Sequence, residues 1–507
     1  MKALLDTNII IHRETASIVE RSIGTLFRWL DKGKYTKCVH KVTIEELAKN
    51  SNEKNKETIL VKVQSYEILE TIAPMNDAFL AVCSTFDKNK NDKNDSILLN
   101  ELYNERVDIF ITEDRKIHTK AKKLGIEDKV FTIDSFLEMV VSENPELIDY
   151  KVLAVKQEYF GNINLCDSFF NTLKEDYNGF ETWFKKKSNE KAYVSYNREK
   201  LLSFLYLKVE DKNEMYRDIF PPFSPKKRLK IGTFKVESNG VRLGERFLKI
   251  IFDNAIQYKV DEIYVTIFEK RSEQIRLINL LEDWGFTKSG SKGNEGEIVF
   301  TRNMQKQFDI INPQKTFPIF STNTNCFLIP IYPKYHTELL PDSFLSTESP
   351  ENFCENEPHR NALRKIYISR SVNRNIKTGD VLIFYRTATT GQSAYYSSVI
   401  TTIAIVQDKI ENIPDAKTFI QKARKRSIFT DSYLTEFWNY SATKPFLINF
   451  LSVYSFKIGN RLNRKQLLDF NIITGEKDEL RGLKKITKEQ FIKILKETNT
   501  DESYFIN

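Results

Sequence analysis

The sequence is poor in the residues that build zinc clusters and covalent cross-links. Its five cysteines, Cys38, Cys83, Cys166, Cys326 and Cys354, lie far apart, and its five histidines are also scattered. Without a CxxC pair, the usual zinc-site spacing is missing. Few, dispersed cysteines are typical of proteins in a reducing compartment.

Long apolar runs, internal repeats and low-complexity tails are missing as well. No stretch approaches the roughly 18 uncharged apolar residues that a membrane-spanning helix needs. Asp6 arrives before the hydrophobic region of a signal peptide could form. We therefore expect a cytoplasmic protein with no membrane partner.

The composition that is present fits a multidomain globular protein. Hydrophobic residues make up 41% and charged residues 29% of 507 residues, and the net charge is +8. This length predicts about three domains. The modest positive charge permits a polyanionic partner without requiring one.

Residues 1–145 alternate short apolar segments with charged, helix-periodic ones. "KALL", "TKCVH", "VDIFIT" and "KVFTI" have the character of strands. Strands that alternate with helices favour a parallel α/β sheet. In such a sheet, ligands bind at the carboxyl ends of the strands.

Four acidic residues are placed where they could meet at that edge. Asp6 interrupts the first strand-like stretch, Glu46 follows Thr43 as a predicted helix N-cap, Asp95 heads another helix, and Asp114 ends a strand. Clustered carboxylates repel one another, and hard cations such as Mg²⁺ or Mn²⁺ relieve that repulsion. In the alternative interpretation, Asp95 is a helix cap and Glu46 a solvated helix residue.

The segments "LLDTNIII", "VTIEEL", "NDSILLNEL" and "FITEDRKI" resemble, in order, the signature blocks of PIN-domain nucleases. The resemblance covers nearly all of the first 140 residues. It implies a metal-dependent endoribonuclease in which Asp6, Glu46, Asp95 and Asp114 are both catalytic and metal-ligating. Thr7 or Asn8 and Thr112 take accessory positions, and Asp92 is a weaker claimant for the third acidic position.

Residues 146–308 form a predicted α+β domain with a glycine-containing loop before a long amphipathic helix. The loop lies in "KVESNGVRLGERF" and contains Gly240 and Gly244. Backbone amides at a helix N-terminus can cradle a pyrophosphate. The alternative is an ordinary helix-entry loop with two turn glycines.

This segment resembles motif A of the GNAT acetyltransferases, and "EQIRLINLLEDWGF" resembles the helix that follows in that family. The resemblance implies acetyl-CoA binding by backbone contacts of Phe234 and Val236 and by the following cradle: Asn239, Gly240, Arg242, Leu243 and Gly244. Two positions depart from the family. Arg242 replaces a usual glycine, and Leu281 stands where a general-acid tyrosine is common.

Residues 309–322 have the Pro, Ser, Thr and Asn of a linker, and residues 323–507 are rich in strands and basic segments. The last region resembles the PUA-like superfamily with its ASCH and EVE domains, which implies a small β-barrel with helices that binds RNA. The residues predicted to contact phosphates or stack on a base are Arg364, Lys365, Arg370, Arg374, Tyr385, Arg386 and Tyr395. In the alternative interpretation, the aromatic residues are core and the charges a solvated face.

Together these features predict an RNA-directed, metal-dependent endoribonuclease with a coenzyme-binding module. Its expected partners are RNA, a second copy of the chain, and an antitoxin or other regulatory protein in a toxin–antitoxin or defence setting. Two alternatives remain open. One is an N-acetyltransferase acting on RNA-linked or protein amino groups, and the other is a non-catalytic nucleic-acid-binding regulator.

Overall fold

The structure is a computed structural model. It describes residues 1–10, 21–47, 63, 66–143, 155–197, 200–237, 243–293, 296–343, 362–389, 393–424, 426–440, 443–475 and 480–507. The chain folds into two compact units, Met1–Leu147 and Ile148–Asn507. Among the described helices, none combines the length and the apolar character that crossing a bilayer would take.

The first unit is built on one parallel sheet. Its strands are β1 (Lys2–Leu5), β2 (Thr36–His40), β3 (Glu67–Leu69), β4 (Ile109–Ile111) and β5 (Val130–Phe131). They are ordered β3-β2-β1-β4-β5, and every neighbouring pair is parallel. The predicted parallel α/β sheet is thereby confirmed.

In the described ranges of this unit, helices pack beside the sheet. They are α1 (Arg21–Lys32), α2 (Lys41–Leu47), α3 (Asp77–Ser84), α4 (Lys90–Tyr103), α5 (Arg115–Lys123) and α6 (Ile133–Glu143). Leu4 and Phe110 from the sheet pack with Leu98 and Leu99 of α4 and Ile117 of α5 in one hydrophobic cluster. This packing fixes the helix starts near the carboxyl ends of β1 and β4, where the predicted site lies.

The second unit contains an eight-stranded sheet. Its strands are β6 (Lys156–Tyr159), β7 (Lys191–Asn197), β8 (Lys200–Glu210), β9 (Ile219–Phe220), β10 (Arg228–Val236), β11 (Glu262–Ile267), β12 (Thr287–Lys292) and β13 (Glu297–Asn303). The order is β6-β7-β8-β10-β11-β13-β12-β9, with only β10 and β11 parallel. Its helices are α7 (Asn171–Asp176), α8 (Phe180–Lys186), α9 (Leu243–Gln257) and α10 (Ser272–Asp283).

A six-stranded sheet follows, ordered β16-β19-β18-β17-β15-β20. Its strands are β15 (Cys326–Ile331), β16 (Arg364–Ser369), β17 (Val381–Arg386), β18 (Val399–Ile410), β19 (Phe446–Ser455) and β20 (Lys484–Ile486). A short pair, β14 (Phe320–Ser321) and β21 (Phe505–Ile506), runs parallel. In the described strands, the outer strands β16 and β20 do not pair with each other, so the predicted closed barrel stays a prediction.

The helices of this last region are α11 (Pro333–Leu339), α12 (Ala394–Ser397), α13 (Ala416–Arg424), α14 (Asp431–Asn439), α15 (Arg464–Asp469) and α16 (Lys488–Glu497). One hydrophobic cluster joins both sheets of the second unit, from Leu205 and Phe247 to Val381 and Phe491. Residues 309–322, predicted as a linker, include the 3-10 helix Pro313–Thr316 and the buried strand β14. The predicted limits of the two later domains remain a prediction.

Candidate functional site

Asp6 lies directly after β1 and is buried. Its side chain is 3% exposed, and its backbone N–H donates to the carbonyl of Ile111, at the end of the adjacent β4. Thr112 Oγ1 donates to Asp6 Oδ2 at 2.6 Å. The polar residue that interrupts the strand-like stretch is therefore held at the carboxyl edge of the sheet, since residues 7–10 are already helical.

Glu46 is oriented from two other elements. Thr7 Oγ1 donates to Glu46 Oε2 at 2.8 Å, and Asn94 Nδ2 donates to Glu46 Oε1 at 2.6 Å. The prediction that Thr43 caps this helix is wrong, because α2 begins at Lys41. Thr43 is instead buried and accepts a hydrogen bond from Thr7 Oγ1 at 3.3 Å.

Asp114 caps helix α5. Its Oδ1 accepts from the backbone N–H groups of Lys116 at 2.6 Å and Ile117 at 3.1 Å. Its own N–H donates to Thr112 Oγ1 at 3.0 Å. Thr112 thus connects Asp6 and Asp114.

Asp95 lies inside a helix rather than at its start. The N-cap of α4 is Asn89, whose side chain accepts from Asp92 N–H, and the helix begins at Lys90. The sequence-based placement of Asp95 at the helix head is therefore wrong, which also removes the interpretation of Asp95 as a cap.

The pKa of Asp95 shows that the acidic residues converge. It is raised from 3.8 to about 7, first by burial and then by the charges of Asp6, Asp114 and Glu46, while Lys120 opposes the shift. A carboxyl group whose pKa is raised by the charges of three other carboxylates lies near all three of them.

Asp6 shows the same pattern. Burial raises its pKa to about 6, the hydrogen bond from Thr112 opposes the rise, and the charges of Asp114 and Glu46 add to it. The charges of Glu46 and Asp114, which are remote in sequence, thus act on both Asp6 and Asp95.

Asp92, the weaker claimant, is occupied elsewhere. Its Oδ1 pairs with Lys116 Nζ at 2.7 Å, and its Oδ2 accepts from Lys88 N–H at 2.9 Å. These contacts lower its pKa. Within the described ranges, by contrast, no lysine or arginine forms an ion pair with any of the four converging carboxylates.

The donor chemistry of this cluster fits a hard divalent cation. It consists of carboxylate oxygens with nearby hydroxyl and amide oxygens, which Mg²⁺ and Mn²⁺ prefer. As placed, no three His, Cys, Asp or Glu side chains of the described residues form a group that could hold an ion. Shared coordination therefore requires at least one side chain to rotate.

A second candidate site lies where β10 and β11 separate. The two strands pair in parallel from Arg228/Glu262 to Ile231/Val265. A bulge follows at Gly232, after which β10 continues only along β8, while β11 stays with β13 to Ile267. Among the described residues, the stretch from Thr233 to Val236 thus has no strand partner on the β11 side.

Phe234 and Val236, predicted to contact an acyl chain through their backbone, lie in that unpaired stretch. Gly232 is required at the bulge, because a Cβ there would lie 2.5 Å from Cδ1 of Tyr206. Leu243 and Gly244 begin α9, and a Cβ on Gly244 would lie 2.9 Å from Leu280 Cδ2. The other cradle residues, Asn239, Gly240 and Arg242, lie outside the described residues.

Leu281, at the position of the expected tyrosine, is fully buried in the hydrophobic cluster. The side chain has no ionisable group and no exposure, so it supplies no proton donor. Helix α10 therefore supplies no acid at Leu281.

Several of the residues predicted to bind RNA are instead buried or paired with another residue of the protein. Arg364 donates from Nε and Nη2 to Glu245 Oε1 at 3.0 and 2.8 Å. Tyr385 is 2% exposed in the core, and Lys365 and Arg386 are also buried. In this structure a base cannot stack on Tyr385, so its predicted role is corrected.

Three other residues of that prediction reach the surface. Arg370 and Arg374 are partly exposed, and Tyr395 is exposed and makes an edge contact with Tyr396, with ring centroids 5.4 Å apart. Tyr395 lies in α12.

Sequence reasoning missed two residues that organise these sites. Asn94 orients Glu46, and the only signal for it is its position directly before Asp95. Glu245 joins α9 to Arg364, and an acidic residue in the first turn of a helix gives no sign of a partner 119 residues away.

No protein-family model matches the sequence, and a search of curated proteins finds no match. Solved structures of several proteins are similar to part of it. An acetyltransferase of the GNAT family from Streptococcus agalactiae is 15% identical, with 26% of this chain and 78% of that chain covered and a TM-score of 0.20.

The Campylobacter jejuni N-acetyltransferase PseH is 12% identical, with 29% of this chain and 97% of that chain covered and a TM-score of 0.19. The Bacillus subtilis N-acetyltransferase YlbP, in complex with coenzyme A, is 16% identical, with 30% of this chain and 97% of that chain covered and a TM-score of 0.19. These similarities are too weak to assign a function to this chain.

Proposed function

We propose that the chain is a metal-dependent endoribonuclease whose active site is the carboxylate cluster of the first unit. The carrying observation is that Thr112 hydrogen-bonds both the Asp6 carboxylate and the Asp114 backbone, and that Thr7, next to Asp6, donates to Glu46. The charges of these three carboxylates also raise the pKa of Asp95. Carboxylates that repel one another without lysine or arginine partners are stabilised when they share a cation.

The roles follow from the contacts. Asp6, Glu46, Asp95 and Asp114 would hold Mg²⁺ or Mn²⁺. When bound, such a cation supplies activation of a water nucleophile and stabilisation of the charge that develops on the phosphodiester.

Three uncharged side chains prepare this set. Thr112 fixes Asp6 and Asp114 relative to each other, and Thr7 and Asn94 fix the two oxygens of Glu46. Such supporting hydrogen bonds commonly change metal affinity or activity by about 10–100-fold when removed.

The test is cleavage of a labelled single-stranded RNA by the full chain with Mn²⁺. Asp6→Asn should lose activity by more than about 100-fold, beyond the loss typical of a residue that only orients a ligand. Asp92→Asn is the matched control, since Asp92 is a buried aspartate of the same unit that is already paired with Lys116. Equal cleavage by wild type and Asp6→Asn would refute the assignment.

A second candidate function is coenzyme A-dependent acyl transfer by the second unit. It is favoured by the separation of β10 from β11, which leaves the backbone of Thr233 to Val236 without a partner on one side. An acyl-pantetheine chain could add to that edge as a strand would. The buried Leu281 leaves the proton donor for transfer unassigned.

Calorimetric titration with acetyl-CoA tests this second function. Gly244→Trp should abolish binding of acetyl-CoA, because the tryptophan side chain would fill the space beside the N-terminus of α9. Gly24→Trp is the control, since no atom lies within 4 Å of a Cβ built there. Unchanged binding by Gly244→Trp, or no binding by wild type, would exclude a coenzyme site here.

A further inference from the structure

The C-terminal end of α14 gathers three cations and an exposed aromatic ring. We call the α14 surface the set Arg370, Arg374, Phe437, Tyr440 and Lys444. Tyr440 is 84% exposed, directly after the helix ends at Asn439. The surface therefore combines positive charge with a ring face that is open to solvent.

The contacts between these residues hold the cations in one place. Arg370 Nη2 donates to the carbonyl of Phe437, and its guanidinium carbon lies 3.5 Å from the Phe437 ring centroid and 5.2 Å from that of Tyr440. Planar stacking of this kind fixes the guanidinium beside the exposed ring.

Lys444 and Arg374 continue the positive surface. Lys444 Nζ donates to the carbonyl of Trp438 at 3.5 Å and lies 4.7 Å from the centre of the Trp438 ring. Arg374 Nη2 donates to the carbonyl of Lys444 at 2.6 Å and stacks 4.8 Å from the Phe446 ring centroid. Each cation is thus placed by carbonyl and ring contacts.

These three cations lack acidic partners. In the part of the chain that the structure describes, Arg370, Arg374 and Lys444 form no ion pair with a carboxylate. Cations do stabilise the last carbonyls of a helix, and Phe437 and Trp438 supply those carbonyls. A single cation is enough to stabilise the last carbonyls of the helix. The positive charge of the other two cations is therefore available to bind another anion.

We propose that the α14 surface binds single-stranded nucleic acid, with phosphates on Arg370, Arg374 and Lys444 and a base stacked on Tyr440. A phosphodiester strand matches a row of cations, and an exposed ring offers the π-face on which an unpaired base stacks. A duplex hides its base faces and fits this pairing of features poorly. The inference deepens the proposed function, because it gives the nuclease substrate a second holding surface.

The test measures fluorescence anisotropy of a labelled 12-nucleotide RNA with the full chain in EDTA, so that no cleavage intervenes. Tyr440→Ala should weaken binding by about 10-fold, as expected for loss of one stacked base. The affinity for RNA should fall with rising salt, and the slope is that of log affinity against log salt concentration. In the double variant Arg374→Gln/Lys444→Gln, this slope should be smaller by about 1 for each phosphate that the variant no longer neutralises.

Matched controls separate these effects from general changes. Tyr258→Ala removes an exposed tyrosine and Lys465→Gln a surface lysine paired with Asp469, and both should bind as wild type does. Because Tyr440 is mostly exposed, its loss should leave the unfolding midpoint unchanged.

Two outcomes would overturn the proposal. One is unchanged RNA binding by Tyr440→Ala and by the double variant. The other is displacement of the RNA by poly-glutamate as effective as by unlabelled RNA, which would indicate a surface for an acidic protein. Asp6→Asn separates the two hypotheses. Unchanged cleavage by this variant would refute only the nuclease assignment, whereas unchanged RNA binding by Tyr440→Ala and by the double variant would refute only the α14 surface.

Discussion

At the scale of single residues, the sequence named the carboxylates at one sheet edge but not the contacts that hold them, and their shared metal site stays a prediction. The charges of Glu46 and Asp114 raise the pKa values of both Asp6 and Asp95. The neutralisation of Asp92 by Lys116 could not be predicted, because that pair forms between two helices whose packing the sequence does not state.

The carboxylate cluster should make stability depend on pH when divalent cations are removed. Above about pH 4 the unfolded chain ionises at Asp95, whose ordinary pKa is 3.8, while the folded chain retains the proton up to a pKa of about 7. The unfolded state therefore binds fewer protons over this range, and stability falls as pH rises through it. Asp95→Asn should reduce the fall in the urea midpoint between pH 4 and pH 7.

Asp92→Asn is the control with the opposite sign. Its hydrogen bonds lower the pKa of Asp92, so that group stabilises the folded chain at neutral pH and loses this effect in acid. The variant should be less stable than wild type at pH 7 and equal to it at low pH. Parallel urea curves for wild type and Asp95→Asn at both pH values would contradict the account.

At the scale of elements, strands were the more predictable part. "KALL" and "TKCVH" match β1 and β2 at both ends, because short β-branched or apolar runs bounded by polar residues leave little choice of limits. Helix starts were harder to predict. Thr43 and Asp95 have the chemistry of caps, yet tertiary packing starts α2 at Lys41 and α4 at Lys90.

The helix α9 is tied to the six-stranded sheet by an element-scale contact that can be tested. Glu245 Oε2 accepts from the N–H groups of Leu363 and Arg364 at 2.8 and 3.1 Å, while Oε1 accepts from the Arg364 guanidinium. Glu245→Ala would leave buried donors without an acceptor and should lower the free energy of unfolding by about 3 kcal/mol.

Asp469→Ala provides the comparison, because its pair with Lys465 is exposed and lies within one helix. Removing such a pair should change the free energy of unfolding by no more than about 0.5 kcal/mol. Equal losses in the two variants, measured by urea denaturation, would show that the α9 contact is not a structural joint.

At the scale of the whole molecule, the length of the chain predicts about three domains, and the structure has two compact units. The PUA-like region was placed behind a linker because residues 309–322 are rich in turn formers. Phe317, Ile319 and Phe320 of that segment are nonetheless buried. A sequence pattern shows which residues favour turns, but it does not show that two sheets will share one core.

Whether a fragment of the chain unfolds cooperatively should depend on whether it contains a whole unit. Residues 148–507 should unfold cooperatively, whereas residues 323–507 should not, because the shared cluster packs Phe247, Phe252 and Trp284 against the core of the last sheet. Removing these apolar neighbours takes away burial on which a fold of this size depends. A cooperative urea transition for the shorter fragment would contradict the two-unit organisation.

Direct measurement of cation binding tests the central claim most closely. In calorimetric titration of the full chain with Mn²⁺ near neutral pH, wild type should bind the ion, Asp6→Asn and Asp95→Asn should lose that binding, and Asp92→Asn should retain it. Absence of saturable binding by wild type at millimolar Mn²⁺, or equal binding by all four proteins, would contradict the assignment of the carboxylate cluster.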